Sequence, residues 1–521
     1  MGKKDKKKGK GAEKTAAKTD KKLSQKMKKE LAVKGEDEID KIIAQINEEE
    51  RKQKEVVIKS VSSPSCRSNF SFTAHPEKDE LILFGGEYFN GQKTFVYNEM
   101  FIYNINRGDW TMLKAPAGPP PRCSHQAVAL PIGGGQLWVY GGEFASPTQS
   151  QFYHYRDLWV FHFATHLWEQ VNAPGAPSSR SGHRMICVKK QLFVFGGFHD
   201  NLREYKYFND VYSFNLETRT WTKIEPVGTP PAPRSACQMV ATPDGKILVF
   251  GGYSKVRVKK DEDKGTIHMD AFLLGPDKHD STGQKWKWSQ VKLGGAKYSP
   301  RCGVALTGAP GGKAYTFGGV FDVENDEDDD IDSEFYNDLH CLDLEKLVFR
   351  TVALSGKKEG SKPKRRRRKE NDKEEEEDED GSEGEMEIED KPVETPEVQK
   401  VSDDGVFTMT VGPALTSSDA NTSAVAESSG ATPTHPRPRM NCGLAVKHGT
   451  LYMYGGLFEQ GERTFTLSDL HALDLHKLDE WRTLVTCDVA SQEWLASSSE
   501  SEESCSDDDD DSEEDEEMDT D

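Results

Sequence analysis

The chain has 521 residues, 30% of them charged and 35% hydrophobic, with a formal net charge of −21 at pH 7. No stretch approaches 18 consecutive apolar residues and the lysine-rich start has no apolar core, so neither a membrane-spanning helix nor a secretory signal is expected. The nine cysteines include no C-x-x-C pair, which argues against a zinc site or a disulfide framework and for core thiols in a reducing compartment, cytoplasmic or nuclear.

Residues 1–35 read as a disordered arm, with fourteen lysines against four acids between Lys3 and Lys34 and almost nothing apolar to bury. Two readings stay open: contact with a polyanion such as RNA or the ribosome through phosphate charge, or a solvated tail. In residues 36–60 the pattern changes. Ile39, Ile42, Ile43 and Ile46 fall at i, i+3, i+4 and i+7, one face of a helix that docks on the body of the protein or on a partner. VVIKSV, residues 56–61, is strand-like and a candidate to add to the last of the repeats that follow, a choice the sequence leaves open.

Six hexapeptides then recur: LILFGG, LWVYGG, LFVFGG, ILVFGG, AYTFGG and LYMYGG. Their glycine pairs are Gly85 and Gly86, Gly141 and Gly142, Gly196 and Gly197, Gly251 and Gly252, Gly318 and Gly319, and Gly455 and Gly456. Each is a strand ending where φ turns positive or side chains do not fit. An arginine stands 16 to 19 residues upstream, at Arg67, Arg122, Arg180, Arg234, Arg301 and Arg439. An acid follows the pair at Glu99, Asp157, Asp210, Asp270, Asp338 and Asp469, where a turn would use a carboxylate to accept backbone N–H groups. An aromatic comes 11 or 12 residues later, at Trp110, Trp168, Trp221, Phe349 and Trp481, with 18 residues of spacing before Trp288 in the fourth unit. Its place is between neighbouring units, with the indole N–H paired.

A period of about 50 residues marks a repeat protein. Four short antiparallel strands per unit cannot bury both faces alone, so the units pack face to face and close into an all-β, six-bladed propeller. Residues 61–355 hold five blades and residues 436–486 the sixth. The double glycine followed by a spaced tyrosine or tryptophan resembles the kelch repeat, over residues 67–113, on to about 355, and again over 439–485. That resemblance implies a kelch-type β-propeller. Phe349 in place of tryptophan and the stretched fourth unit depart from the pattern.

Between the fifth and sixth blades, residues 356–435 form a charged insertion expected to be disordered. Its cluster Lys364, Arg365, Arg366, Arg367, Arg368 and Lys369 reads either as a nuclear-import signal or as a run paired with the acids behind it. Residues 487–521 read as a disordered acidic tail, in which Ser501, Ser504, Ser506 and Ser512 sit among acids as candidate phosphorylation sites.

No nucleophile elbow or phosphate-cradling loop is present, so neither catalysis nor a cofactor or metal is expected. His125 and His183 occupy the same slot of two repeats and point round the ring rather than at one ion. The acidic loop 322–334, with nine acids, lacks an EF-hand frame. The basic loop 255–265 lies on the same face. Loops after the glycine pairs carry aromatics, and Tyr88, Phe89, Phe95, Phe144, Phe152, Tyr205, Tyr207, Phe335, Phe458 and Phe465 are the candidate contacts for a protein or peptide ligand. The leading expectation is an interaction scaffold. The alternatives are a substrate receptor of a cullin-type ubiquitin ligase, implied by the kelch resemblance, and an electrostatic chaperone or ribosome-associated factor working through the charged tails.

Overall fold

A computed structural model describes residues 26, 28, 29, 31, 33–201, 204–259, 262–277, 280, 285–324, 331–356 and 435–495. The import cluster from Lys364 to Lys369, Ser501, Ser504, Ser506, Ser512 and nearly all of the lysine arm lie outside the described residues.

Six sheets, each built on four antiparallel strands from one repeat, form a β-propeller; the first and fifth carry a fifth strand, in the fifth blade the short Gly294–Gly295, parallel to Val348–Thr351. In the third, Arg184–Val188, Gln191–Phe195, Val211–Asn215 and Thr220–Ile224 succeed one another from the axis outward, and the strand that ends on the glycine pair is second. The cores lie between blades. Leu81, Tyr103 and Trp110 of the first blade cluster with Tyr452, Tyr454 and Leu470 of the sixth, and this packing, with hydrogen bonds across the seam such as that from the Tyr454 hydroxyl to the Pro64 carbonyl at 3.1 Å, closes the ring.

Each repeat aromatic lies on the aromatic that precedes the glycine pair of the previous blade. Trp168 meets Phe84, Trp221 meets Tyr140 and Trp288 meets Phe195, with ring centroids 5.2, 5.2 and 5.5 Å apart. Phe349 meets Phe250 at 5.8 Å, Trp481 meets Phe317 at 6.0 Å, and Trp110 meets Tyr454 at 5.6 Å. Phe349 therefore fills the tryptophan slot. The extra residues of the fourth unit fall between Ala271–Pro276 and Trp286–Val291, at the end of the blade remote from the glycine pair, so Trp288 still reaches Phe195. One expectation is corrected here: the buried indole N–H of Trp110 has no hydrogen-bond partner, because the rings of Tyr103 and Tyr454 lie against it.

The strand Val57–Val61 does not join the last blade. It pairs antiparallel with Asp109–Lys114 as a fifth, outermost strand of the first blade, Val57 opposite Lys114 and Val61 opposite Trp110. The preceding helix, Ile39–Lys52, docks on the ring in cis, with Ile43 buried against Phe144 and Tyr155 and flanked by Ile39, Ile42 and Ile46. Glu36 anchors its start, accepting the Thr148 N–H at 3.1 Å and the Ser150 hydroxyl at 2.8 Å. Because a large-to-small change at such a contact costs about 2–5 kcal/mol, Ile43→Ala is expected to release the helix. Amide exchange should then rise across residues 39–52 while blade strands keep their protection.

Candidate binding face

The face that carries the glycine pairs is set by a buried clamp repeated six times. Every motif arginine reaches the carbonyl of the first glycine and the acid of its own blade: Arg122 donates to the Gly141 carbonyl at 3.0 Å and forks onto both Asp157 oxygens at 2.8 and 3.0 Å. Arg180, Arg234 and Arg439 repeat the fork on Asp210, Asp270 and Asp469. Arg67 pairs with Glu99 at 3.0 Å and Arg301 with Asp338 at 2.5 Å. The acids thus bind a guanidinium rather than a turn's N–H groups, a pairing across 30 to 37 residues. Aromatics two positions before the acid cover several of these cations, with Tyr97, Tyr155, Phe208 and Tyr336 at 3.7 to 4.3 Å. Burial alone would raise the Asp157 carboxyl, but the Arg122 charge outweighs it and holds the group below its ordinary value.

After each clamp the chain rises as a hairpin. Glu87–Phe89 pairs with Thr94–Val96, Glu143–Ala145 with Phe152–His154, Phe198–Asn201 with Glu204–Tyr207, Tyr253–Lys259 with Glu262–Ile267, Val320–Glu324 with Ile331–Phe335 and Leu457–Gln460 with Arg463–Thr466. Both glycines below each hairpin have positive φ, and a Cβ on Gly85 would meet the Arg122 carbonyl at 2.6 Å. All ten candidate aromatics stand on these hairpins, yet they are not equally free. Phe95 and Phe152 are exposed, at 43% and 37%, whereas Phe144 is buried under the helix. Tyr88 stacks across the hairpin on Phe95, and Phe458 on Phe465 with centroids 5.0 Å apart. Tyr205 donates its hydroxyl to Asp263 at 2.7 Å, Tyr207 lies against Phe198, and Phe335 stands opposite Val320, half-buried. Val256 and Val258 add exposed apolar surface that the search for aromatics passed over.

Two segments of the chain already occupy part of this crown. The helix covers the second hairpin. A strap over residues 487–495, expected to begin the acidic tail, lies on the first and sixth: Trp494 packs edge-on against Phe89 at 5.7 Å and the Leu495 N–H donates to the Asn90 carbonyl at 2.9 Å, while Gln492 donates to the Thr466 carbonyl of the sixth at 2.6 Å. The described body therefore extends to residue 495.

Beneath the crown, inner strands and their leading turns line a central channel of about 1160 Å³. In its wall Glu143, 15% exposed, accepts the Ser181 hydroxyl at 3.0 Å, with His154 Nδ1 3.6 Å away. Burial, reinforced by the neighbouring Glu87 charge, pushes the Glu143 carboxyl up to about 8. Burial and His199 push His154 down to about 3, and its Nε2 accepts the Asp200 N–H at 3.0 Å, so the ring is neutral with its proton on Nδ1. Glu87 and Glu143 follow their glycine pairs directly, a slot that four other blades fill with Phe198, Tyr253, Val320 and Leu457; two acids among four apolar residues were the signal in the sequence.

The description "KLHDC2/KLHL20/DRC7 Kelch-repeats domain" matches residues 69–279 and 155–370, more than half of the chain. The chain belongs to the Kelch-repeat family. Kelch domain-containing protein 2 of Bos taurus is 27% identical over 253 residues, 46% of this chain and 58% of the relative. Kelch domain-containing protein 1 of Mus musculus is 29% identical over 241 residues, 44% of this chain and 55% of the relative. This Kelch chain thus spans somewhat over half the length of these relatives. A protein of Thlaspi arvense named N-(sulfonatooxy)prop-2-enimidothioate sulfolyase is 29% identical over 270 residues, 49% of this chain and 70% of the relative.

That last relative corrects one expectation. A protein named as an enzyme lies among the Kelch relatives, so the lack of a familiar catalytic motif does not exclude this chain from catalysis. Among the described residues no group of three His, Cys, Asp or Glu side chains could hold a metal ion, and no helix is long and apolar enough to cross a membrane. His125 and His183 serve the Kelch core: His125 contacts the Ser71 hydroxyl at 3.0 Å and the Phe84 ring at 5.2 Å, and His183 stacks edge-on against Tyr140. In the basic hairpin, Lys255 and Arg257 pair with Asp263 of the same hairpin. Residues 325–330 of the acidic loop, with five of its nine acids, lie outside the described residues.

Proposed function

We propose that this Kelch propeller is a binding module that holds a protein or peptide segment on the crown of hairpins. The observation that carries the reading is the pair Phe95 and Phe152, large aromatics left exposed on hairpins whose other rings are packed. Rigid strands with clamped turns supply the preorganised support such a face needs, and exposed aromatics supply its anchors. The electrostatic reading rests on charged segments outside the described residues and the ligase-receptor reading on the kelch resemblance, and no contact among the described residues favours either.

The test compares partners captured from cells by the full chain, by the chain lacking residues 358–432 and 496–521, and by Phe95→Ala/Phe152→Ala. The double variant should weaken capture by about tenfold or more while the melting transition stays in place. Tyr88, Tyr205 and Phe465 are poorer probes, since Tyr88 and Phe465 are stacked within their hairpins and Tyr205 is bonded to Asp263 of the next. Partners that vanish on trimming yet survive the double variant would move function from the crown to the charged segments.

A further inference from the structure

At five of the six seams between blades the same main-chain bonds join neighbours. The second glycine of one blade donates its N–H to the carbonyl of the next motif arginine: Gly86 to Arg122 at 2.9 Å, Gly142 to Arg180 at 3.0 Å, Gly197 to Arg234 at 2.9 Å, Gly319 to Arg439 at 2.9 Å and Gly456 to Arg67 at 3.3 Å. That arginine's N–H in turn reaches the carbonyl of Tyr97, Tyr155, Phe208, Tyr336 or Leu467. The seam between the fourth and fifth blades has neither bond. Among the described residues, the N–H groups of Gly252 and Arg301 and the carbonyls of His268 and Arg301 find no partner across it. A Cβ on the first glycine would meet the next arginine's carbonyl within 2.9 Å at the five joined seams, whereas on Gly251 its nearest neighbour is the His268 carbonyl of its own blade at 3.9 Å.

The Arg301 side chain shows the same opening. Its five counterparts donate Nε–H to the carbonyl two residues earlier, at 2.9 to 3.2 Å. The Nε of Arg301 is buried without a partner on a side chain only 3% exposed.

Sequence differences sit where the seam parts. Three residues before the arginine stand Pro64, Pro119, Pro177, Pro231 and Pro436, but Tyr298 in the fifth blade. Asn98, Asn209 and Asn337 donate to the carbonyls of Pro119, Pro231 and Pro436 at 3.3, 3.0 and 3.2 Å. Their counterpart in the fourth blade is Met269, apolar and exposed. Tyr298 turns instead onto Phe349, stacked with centroids 4.9 Å apart. The result is a cleft of about 560 Å³, within the range of ligand sites, lined by Phe250, Tyr298, Phe349, Met269 and Arg301.

We infer that this cleft receives an extended peptide segment of a partner protein, with an apolar side chain against the aromatic wall and an acidic one beside Arg301. A mixed set of main-chain donors and acceptors is satisfied all at once by another extended backbone, as when a strand is added to a sheet. The orphan guanidinium N–H, with Lys292 and Lys297 exposed on the lining, selects a carboxylate as its neighbour. The site is separate from the exposed crown aromatics and stands or falls independently of them.

The full chain is tested with a fluorescein-labelled, end-blocked hexapeptide alternating glutamate and leucine, against its lysine–leucine counterpart and a copy N-methylated at alternate amides. Met269→Asn/Tyr298→Pro gives the seam the residues of its neighbours and should join it without unfolding the ring. The glutamate–leucine peptide is expected to bind, with at least tenfold loss in that variant and with N-methylation, and with no change in Phe95→Ala/Phe152→Ala. Independently of any ligand, amide exchange at Gly252 and Arg301 should be fast beside Gly142 and Arg180, and should slow in the joined variant. Equal protection at the two seams, failure of the peptide to bind, binding indifferent to the joined variant, or equal binding of the lysine peptide would each overturn the inference. Protection at Gly252 and Arg301 that disappears on deleting residues 358–432 would assign the cleft to the chain's own insertion and overturn a partner in trans.

Discussion

Arg439→Ala should cost the ring roughly 3–5 kcal/mol in urea unfolding, the toll of leaving a buried charge unpaired. The pair it breaks is the most enclosed of the six, with the Arg439 side chain fully buried and that of Asp469 10% exposed. Asp469 accepts both guanidinium nitrogens, at 2.6 and 2.8 Å, and His471 Nε2 lies 2.8 Å from the same carboxylate. Burial by itself would raise that carboxyl, but the bonds from His471 and Arg439 outweigh it and hold it well below its ordinary value. Without the arginine only the raising influence and one histidine remain. The Gly455 carbonyl, now 3.0 Å from Arg439, also loses its donor, which loosens the base of the sixth hairpin.

Arg67→Ala makes the internal comparison. Glu99 is 36% exposed, so water can take over part of the arginine's role, and a smaller loss is expected there. Arg439→Lys should recover only part of the loss, because an ammonium cannot fork onto two carboxylate oxygens while reaching the glycine carbonyl. A drop under about 1 kcal/mol for Arg439→Ala, the range of surface pairs, would show that the clamp is solvated and does not hold the blade.

The same clamp shows what the sequence could and could not convey. Glycine pairs are legible because the reason for them is local: both residues need positive φ. The aromatic slot is legible for the same kind of reason, and Phe349 keeps it by lying on Phe250. That Arg122 seeks Asp157 is not local. Neither residue carries a mark of its partner 35 positions away, and only their joint recurrence in six repeats could have suggested it. The strand Val57–Val61 posed a choice between outer edges that its own side chains do not decide, since four of the five are exposed. Residues 487–495 differ from the tail that follows, with two acids in nine residues and Val489, Trp494 and Leu495 as large apolar side chains, but nothing in so short a run names the surface it docks on. In the candidate site, the crown and its aromatics followed from the loops after the glycine pairs. The split of those rings into packed and free depended on cross-strand pairing and on coverage by the helix and strap.

The second large effect expected is a dependence of stability on pH that resides in Glu143. A free glutamate titrates near 4.5, and in the folded ring this one is pushed up to about 8 by burial and by the charge of Glu87. The folded state therefore holds the proton more tightly than the unfolded chain. Its contribution is complete below about pH 4.5, declines as the pH rises, and is lost once the pH passes about 8. At about 1.4 kcal/mol per unit, the swing is bounded near roughly 4–5 kcal/mol. Asp469 works in the opposite sense, stabilising above the ordinary aspartate range and losing its effect in acid. Glu143→Gln keeps an acceptor for the Ser181 hydroxyl and carries no charge to desolvate, so its urea midpoint should fall far less between pH 5 and 8.5 and exceed that of the parent chain at pH 8.5. Parallel pH profiles for the two chains would mean that Glu143 ionises freely in the channel wall. Because His154 is held neutral and its Nδ1–H faces the same carboxylate, the pair carries no net charge at neutral pH. It acquires a negative charge only as Glu143 loses its proton, so any ligand reaching that wall of the channel should bind with an affinity that changes across the same pH window.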